Sequence, residues 1–214
     1  MASQIAHIIY DNSFFEKLDK SEINGLILPA EKLNRDEFML GSIFPDIRRV
    51  DRTIKRKETH MHFNIIDLDF FGLTSFEAGW KFHLYCDMRR EEILNKYNFY
   101  RLRYAADHYG HPAKIFEDEL LYSYYNNWEK LSLYFRSPPF FSVLDSVSED
   151  SFRLWYAIVS RYLEKKPDDV TMRTFLLKQV NLDAKINMLV EAVGKLRKNK
   201  RVTEILLKIK DEII

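Results

Sequence analysis

A single cysteine, Cys86, stands in the 214 residues, so an internal disulfide is impossible and the chain suits a reducing compartment. Long apolar runs are missing too: none reaches the roughly 18 residues that a membrane-spanning helix needs. The opening, MASQIAHIIYDNSFFEKLDK, has no basic segment followed by an apolar core and a small-residue cleavage site. No secretory signal is therefore expected, and a cytoplasmic location is. Neither sign of charge dominates. With 33 basic against 32 acidic residues and a formal net charge of +1, overall charge favours no general binding to nucleic acid or to a membrane surface. Any electrostatic preference has to be local. Internal repeats and low-complexity tracts are absent, and no histidine follows His111. That assigns any histidine chemistry to the N-terminal part of the chain.

What is present reads as a soluble globular protein, 46% hydrophobic and 30% charged, long enough to bury a real core. TSFEAGWKFHLYCDMRREEILNKY sets Thr74 and Glu77 at capping-box spacing, and Phe76, Trp80, Leu84 and Ile93 follow as an apolar stripe of roughly helical period. Further helices are expected around residues 3–18, 30–43, 112–135, 149–165, 169–193 and 201–213, with Pro167 and Gly194 as stops. The main irregular stretches fall at 47–59 and 136–147, and HMHFNIIDLDFF reads as a short extended piece. The fold expected is all-α, a multi-helix bundle. Residues 1–144 would form its core and 145–214 a helical extension packed on the same domain.

Chemistry-bearing residues come in a particular order. In HLYCDMRR, residues 83–90, His83 and Asp87 are four apart, so on a helix they share a face and offer one ion an imidazole nitrogen and a carboxylate oxygen. The same spacing also serves an ordinary surface pair or a satisfied core histidine. His7, in QIAHIIY, falls on an otherwise apolar helical face, where an imidazole needs a partner. Asp46 follows Pro45 in FMLGSIFPDIRR, and His60 comes fourteen residues later in ETHMHF. Together His7, Asp46, His60, His83 and Asp87 mix nitrogen and oxygen donors as a zinc site does. RRVDRTIKRK, residues 48–57, carries six basic residues among ten between two of these candidates. Arg48 and Arg49 present donor forks suited to a phosphate, although charged loops are also commonly just solvated.

The order and spacing of these residues resemble the zinc-dependent phospholipase C and P1-nuclease-like hydrolases, over residues 5–130 or so. The resemblance implies an all-α enzyme whose metal cluster cleaves phosphate esters. It implies that Asp46, His60, His83 and Asp87 hold the primary ion, that His7 joins Asp87 at a second position, and that Asp46 handles the proton of the attacking water. GHPAKIFEDEL resembles the family's later histidine at a helix start, which makes His111 its counterpart. Three family features are missing. Secreted members have a processed N-terminal tryptophan where this chain reads Met1, Ala2, Ser3; a histidine shortly after the helix aspartate where MRREEILNKY has none; and a glutamate where Ile115 stands. One or two divalent ions, zinc foremost, are expected in place of three. His62 would support the site or replace the missing N-terminal ligand, and His111 would serve a second site or contact the phosphate.

The function expected on these grounds is metal-dependent phosphoester hydrolysis through a metal-activated water, on a phosphodiester or phosphomonoester. The substrate would be a phosphorylated small molecule, a lipid head group or a nucleotide; the tyrosine-rich stretches suit either of the last two. One alternative is a helical binding or scaffold protein with structural histidines. Another is an HD-type metallophosphohydrolase, disfavoured because no adjacent His-Asp pair occurs, and the missing Glu-x-x-His motif speaks against a di-iron bundle.

Overall fold

The computed structural model describes residues 3–29, 32–180 and 183–214. Ten α-helices lie among them: α1 Gln4–Asp19, α2 Arg35–Ile43, α3 Arg56–His60, α4 Ser75–Lys96, α5 His111–Leu121, α6 Trp128–Arg136, α7 Glu149–Leu163, α8 Asp169–Leu177, α9 Ile186–Leu196 and α10 Lys200–Glu212. Among the described residues there is no strand, only an isolated parallel bridge between Ile27 and Asp69. The architecture is an all-α multi-helix bundle. Its longest helix, α4, starts at the capping box, where Thr74 Oγ1 accepts from Glu77 N and the Glu77 carboxylate accepts from Thr74 N. Asn34, Ser148, Asp168 and Asn199 cap α2, α7, α8 and α10 in the same manner, each satisfying backbone donors that a helix start leaves open.

The pair α2 and α4 forms the most extensive helix contact in the chain. Two glycines permit it. A Cβ on Gly41 would lie 1.8 Å from the Phe76 carbonyl oxygen, and one on Gly79 would lie 1.9 Å from that of Phe38. The two contacts run in opposite chain directions, so the helices cross antiparallel, backbone against backbone. Around this seam pack Phe14, Phe38, Phe70, Phe76, Trp80 and Phe82, all fully buried. The C-terminal helices enter the same core: Trp155 donates from Nε1 to Ile43 O at 3.0 Å, and the Tyr156 hydroxyl donates to Leu40 O at 2.6 Å.

Two expected helices prove to be broken. The stretch expected as one helix over 112–135 ends at Leu121, turns through Tyr122–Tyr124, and resumes at Trp128. There Trp128 stacks on Tyr122 at 4.7 Å and its Nε1 donates to Tyr122 O, which closes the corner. The stretch expected over 169–193 stops at Leu177, where the chain leaves the helix so that Val180 N donates to Arg49 O at 2.7 Å; residues 181 and 182 of that expected helix lie outside the described residues. Gly194 stops nothing, since α9 runs through it to Leu196. Helix α2 starts at Arg35, and residues 30 and 31 of the expected 30–43 helix lie outside the described residues. The expected loop at 47–59 contains the end of a 3-10 turn, Phe44–Arg49, and most of α3.

Candidate metal centre

Helix α1 turns His7 inward. Its N-terminus is held by Asp118 of α5, whose Oδ1 accepts from Ala6 N at 2.9 Å while Oδ2 accepts from the Tyr162 hydroxyl at 3.0 Å. One turn beyond the candidate ligands on α4, buried Arg90 donates from Nε to Glu117 at 2.7 Å, and the Tyr10 hydroxyl donates to the same carboxylate. This buried pair ties α1, α4 and α5 together. Removing one partner of such a pair costs about 3–5 kcal/mol, because the other is left charged and uncompensated.

On that frame the imidazoles of His7 and His83 stack, with centroids 3.8 Å apart and planes 15° from parallel. The ring of His83 is oriented from behind: its Nδ1 is 2.7 Å from Ser42 O, and since a carbonyl only accepts, Nδ1 carries the proton. Nε2 is left with a lone pair. That nitrogen lies 3.6 Å from one oxygen of Asp87, and His7 Nε2 lies 3.6 Å from the other. These separations are too long for hydrogen bonds. Two donors each about 2.1 Å from a tetrahedral ion lie about 3.4 Å apart, so the spacing matches that of ligands around one cation. Ligand atoms from His7, His83 and Asp87 all lie within 4.8 Å of one another.

Burial sharpens the argument. Both ring nitrogens of His7 and Nε2 of His83 are buried without a hydrogen-bond partner, and each unmet polar group of this kind costs about 1–3 kcal/mol. Burial, followed by the adjacent His7, pushes His83 well below the usual histidine range, so its ring is neutral. For Asp87 burial works upward, but nearby positive charge, ahead of the His83 and His7 imidazoles, holds its carboxyl well below the usual range. Imidazole nitrogens together with an ionised carboxylate are the donor set that a zinc-like ion takes.

His60 and Asp46 lie beside this trio, outside it. At the end of α3, His60 sets its ring edge-on to His83 at 5.5 Å, its Nδ1 2.9 Å from Thr59 Oγ1 and its Nε2 buried without a partner. Trp80 fixes that helix end by donating from Nε1 to Thr59 O. Burial pushes His60 down to about 4. Asp46 sits in the 3-10 turn, where residues three apart eclipse; Arg49 Nε accordingly meets its Oδ1 at 2.9 Å, and Gln4 Nε2 donates to Oδ2 at 2.8 Å. Arg48 approaches the same carboxylate at 3.9 Å. Burial works to raise the Asp46 carboxyl, but Arg49, with His83 and His60 near, holds it far below the usual range.

The remaining candidates divide. His62 is exposed and stacks on the Trp80 ring at 4.3 Å. His111 begins α5 and shares a cleft with Gln4, Arg49, Lys114 and Gln179; burial, then the charges of Lys114 and Arg49, push it down to about 4. A separate cleft between α7 and α8, lined by Arg161, Tyr162, Val170 and Phe175 among others, contains none of the candidate residues.

Several residues at the site had not been singled out in the sequence. Gln4 precedes His7 by three positions and Asp11 follows it by four, so helical spacing alone would have put them on its face. Burial pushes the Asp11 carboxyl well above the usual range, with the Ser42 hydroxyl acting in the opposite sense. Lys114 is one turn beyond His111. The Ser42 carbonyl left no sequence signal, because a backbone acceptor is independent of residue type. Comparison of the chain with models of known protein families, with curated proteins and with solved structures finds no match.

Proposed function

We propose that this chain is a metal-dependent phosphoesterase, hydrolysing a phosphodiester or phosphomonoester. The observation that carries the reading is the trio of buried His7 and His83 with part-buried Asp87, in which unpartnered imidazole nitrogens face a shared carboxylate at ligand spacing. A bound divalent cation, zinc being the ion best suited to these donors, supplies a water of lowered pKa and polarises a phosphoryl oxygen. His7 and His83 hold it through Nε2, and Asp87 offers an oxygen to each side. The Ser42 carbonyl keeps His83 in the ligating tautomer, a role whose loss typically costs 10- to 100-fold in metal affinity. His60, edge-on to His83 with a buried, unpartnered Nε2, is a further donor candidate from α3.

Asp46 stays ionised at working pH, held by Arg49 and Gln4. It is a weak base in that state, so it orients a water through an accepted hydrogen bond and takes up a proton only transiently. Arg48 and Arg49 bring cationic forks to the edge of the site, where a phosphate's charge develops. The substrate class that fits is a phosphorylated small molecule, a nucleotide or a lipid head group. A cytoplasmic setting accords with a chain whose single cysteine is buried.

Metal content of the purified parent, His83→Ala and Asp87→Ala, together with hydrolysis of chromogenic phosphodiesters and phosphomonoesters under several divalent ions, tests this. The parent should retain an ion and hydrolyse at least one ester, and each variant should lose more than the 10- to 100-fold in affinity expected for an orienting partner. Equal metal retention by parent and both variants would overturn the assignment.

A further inference from the structure

Gln4, one turn before His7 on α1, and Arg49, paired with Asp46, help bound a cleft that His111, Lys114, Ile115 and Gln179 also line. Its charges are unbalanced. Arg49, Arg48 and Lys114 bring three positive charges to this side of the site; of the two carboxylates that act on them, Asp46 is already engaged by Arg49 and Gln4, and Asp87 belongs to the trio. Arg49 is itself held in place: Nε meets Asp46, Nη1 donates to Gln179 Oε1 at 3.1 Å, and its carbonyl accepts from Val180 N. Lys114 is different. It is half-buried, lines the cleft, and makes no hydrogen bond or ion pair among the described residues. Removing an ammonium from water without a partner is costly, and the burial of Lys114, then the charge of Arg90, pull it down to about 8. Where the chain continues along α5, the next side chain is buried, apolar Ile115. Among the described residues that line the cleft there is no carboxylate to hold a second divalent cation. An unpartnered ammonium near a metal-type donor trio, with two arginines alongside, is complementary to an oxyanion.

We infer that Lys114 is a substrate-binding residue, its ammonium taking a non-bridging oxygen of a phosphate group whose other side faces the His7, His83 and Asp87 trio, with Arg49 held alongside it. The inference rests on the phosphoesterase reading for the identity of the substrate, but the anion site itself is testable without turnover. The shared chemistry is a tetrahedral phosphate, free or esterified.

The experiment uses the full chain and inorganic phosphate as the probe, titrated calorimetrically into parent, Lys114→Met and Lys114→Arg, with metal content measured on each. Lys114→Met should weaken phosphate binding by about 10- to 100-fold, the usual range for a charge-assisted hydrogen bond, and leave metal content unchanged. Lys114→Arg should retain most of the affinity. In hydrolysis of a chromogenic ester, the Met variant should show a raised KM that the Arg variant recovers. A second measurement needs no variant: phosphate should slow acetylation of Lys114 in the parent, read by peptide mass mapping, and leave exposed Lys195 unaffected. Parent-like phosphate affinity in Lys114→Met, or no protection of Lys114 by phosphate, would refute the inference. Metal binding and hydrolysis that persist alongside either result would leave the phosphoesterase reading standing. A Lys114-dependent phosphate site in a chain that binds no metal and hydrolyses no ester would sink that reading and keep the anion site.

Discussion

Replacing Gly79 by alanine tests the frame on which the whole site depends. The added Cβ would lie 1.9 Å from the Phe38 carbonyl oxygen, where an ordinary carbon-oxygen contact is about 3.4 Å, so α2 and α4 must separate locally by about 1.5 Å. The obstacle is backbone, which has no rotamer to swing away. Overpacking of a tight core costs about 1–3 kcal/mol, and this case belongs at the upper end. For a domain of this size each kcal/mol moves Tm by about 2–4 °C, so a fall of roughly 5–10 °C is expected. The same displacement should carry Ser42 away from His83, whose Nδ1 it meets at 2.7 Å, and weaken metal retention together with stability. Gly41→Ala should behave alike, since its Cβ would meet the Phe76 carbonyl at 1.8 Å. Gly194→Ala is the control: it lies within helix α9 with nothing within 4 Å of the added carbon, and should stabilise by about 0.5–1 kcal/mol. Thermal unfolding by circular dichroism, with metal analysis of the same samples, reads all three. If Gly79→Ala unfolds within a degree of the parent, the seam is not the tight contact described and the argument from it to the site fails.

Other expectations concern single groups. Asp46→Asn keeps the shape of a side chain held by Gln4 and Arg49 but removes the charge that pairs with Arg49; hydrolysis should fall by about 100-fold or more, and full turnover by the folded, metal-loaded variant would eliminate Asp46 from the chemistry. Asp118, raised by burial to about 7 in the folded chain, is protonated more readily there than when unfolded, so its contribution to stability is complete below pH 4 or so and is lost as pH rises through about 7. The limits differ by at most about 4 kcal/mol. Relative to Asp118→Asn, the parent should therefore lose Tm between pH 5 and pH 8, and parallel pH curves for the two would contradict this. Glu117→Ala leaves buried Arg90 without its carboxylate and should cost about 3–5 kcal/mol in urea unfolding; a loss below 1 kcal/mol would mean that the pair does not tie α1, α4 and α5.

Local spacing carried as far as one helix at a time. The Thr74 and Glu77 capping box, the buried stripe of Phe76, Trp80 and Leu84, and the shared face of His83 and Asp87 all follow from a period of 3.6 residues and from the open donors at a helix start. The all-α class was legible for the same reason. Contacts between helices were not, because no period records which faces meet. His7 stacks on His83 only because α1 and α4 are locked through Arg90, Glu117 and Tyr10. Gly41 and Gly79 lie inside expected helices with nothing in the local pattern to mark a contact, yet in the fold each is a point where one helix backbone touches the next. The corner at residues 122–127 lacks glycine and proline, and exists because Trp128 closes on Tyr122. Similarly, α8 ends where Val180 and Gln179 can bond Arg49. The sequence by itself determined which residue types were available and which helix face each would occupy. Only tertiary packing decided that His7, His83 and Asp87 converge while His62 turns out to solvent, because that convergence depends on long-range backbone contacts and buried charge pairs that local sequence spacing does not encode.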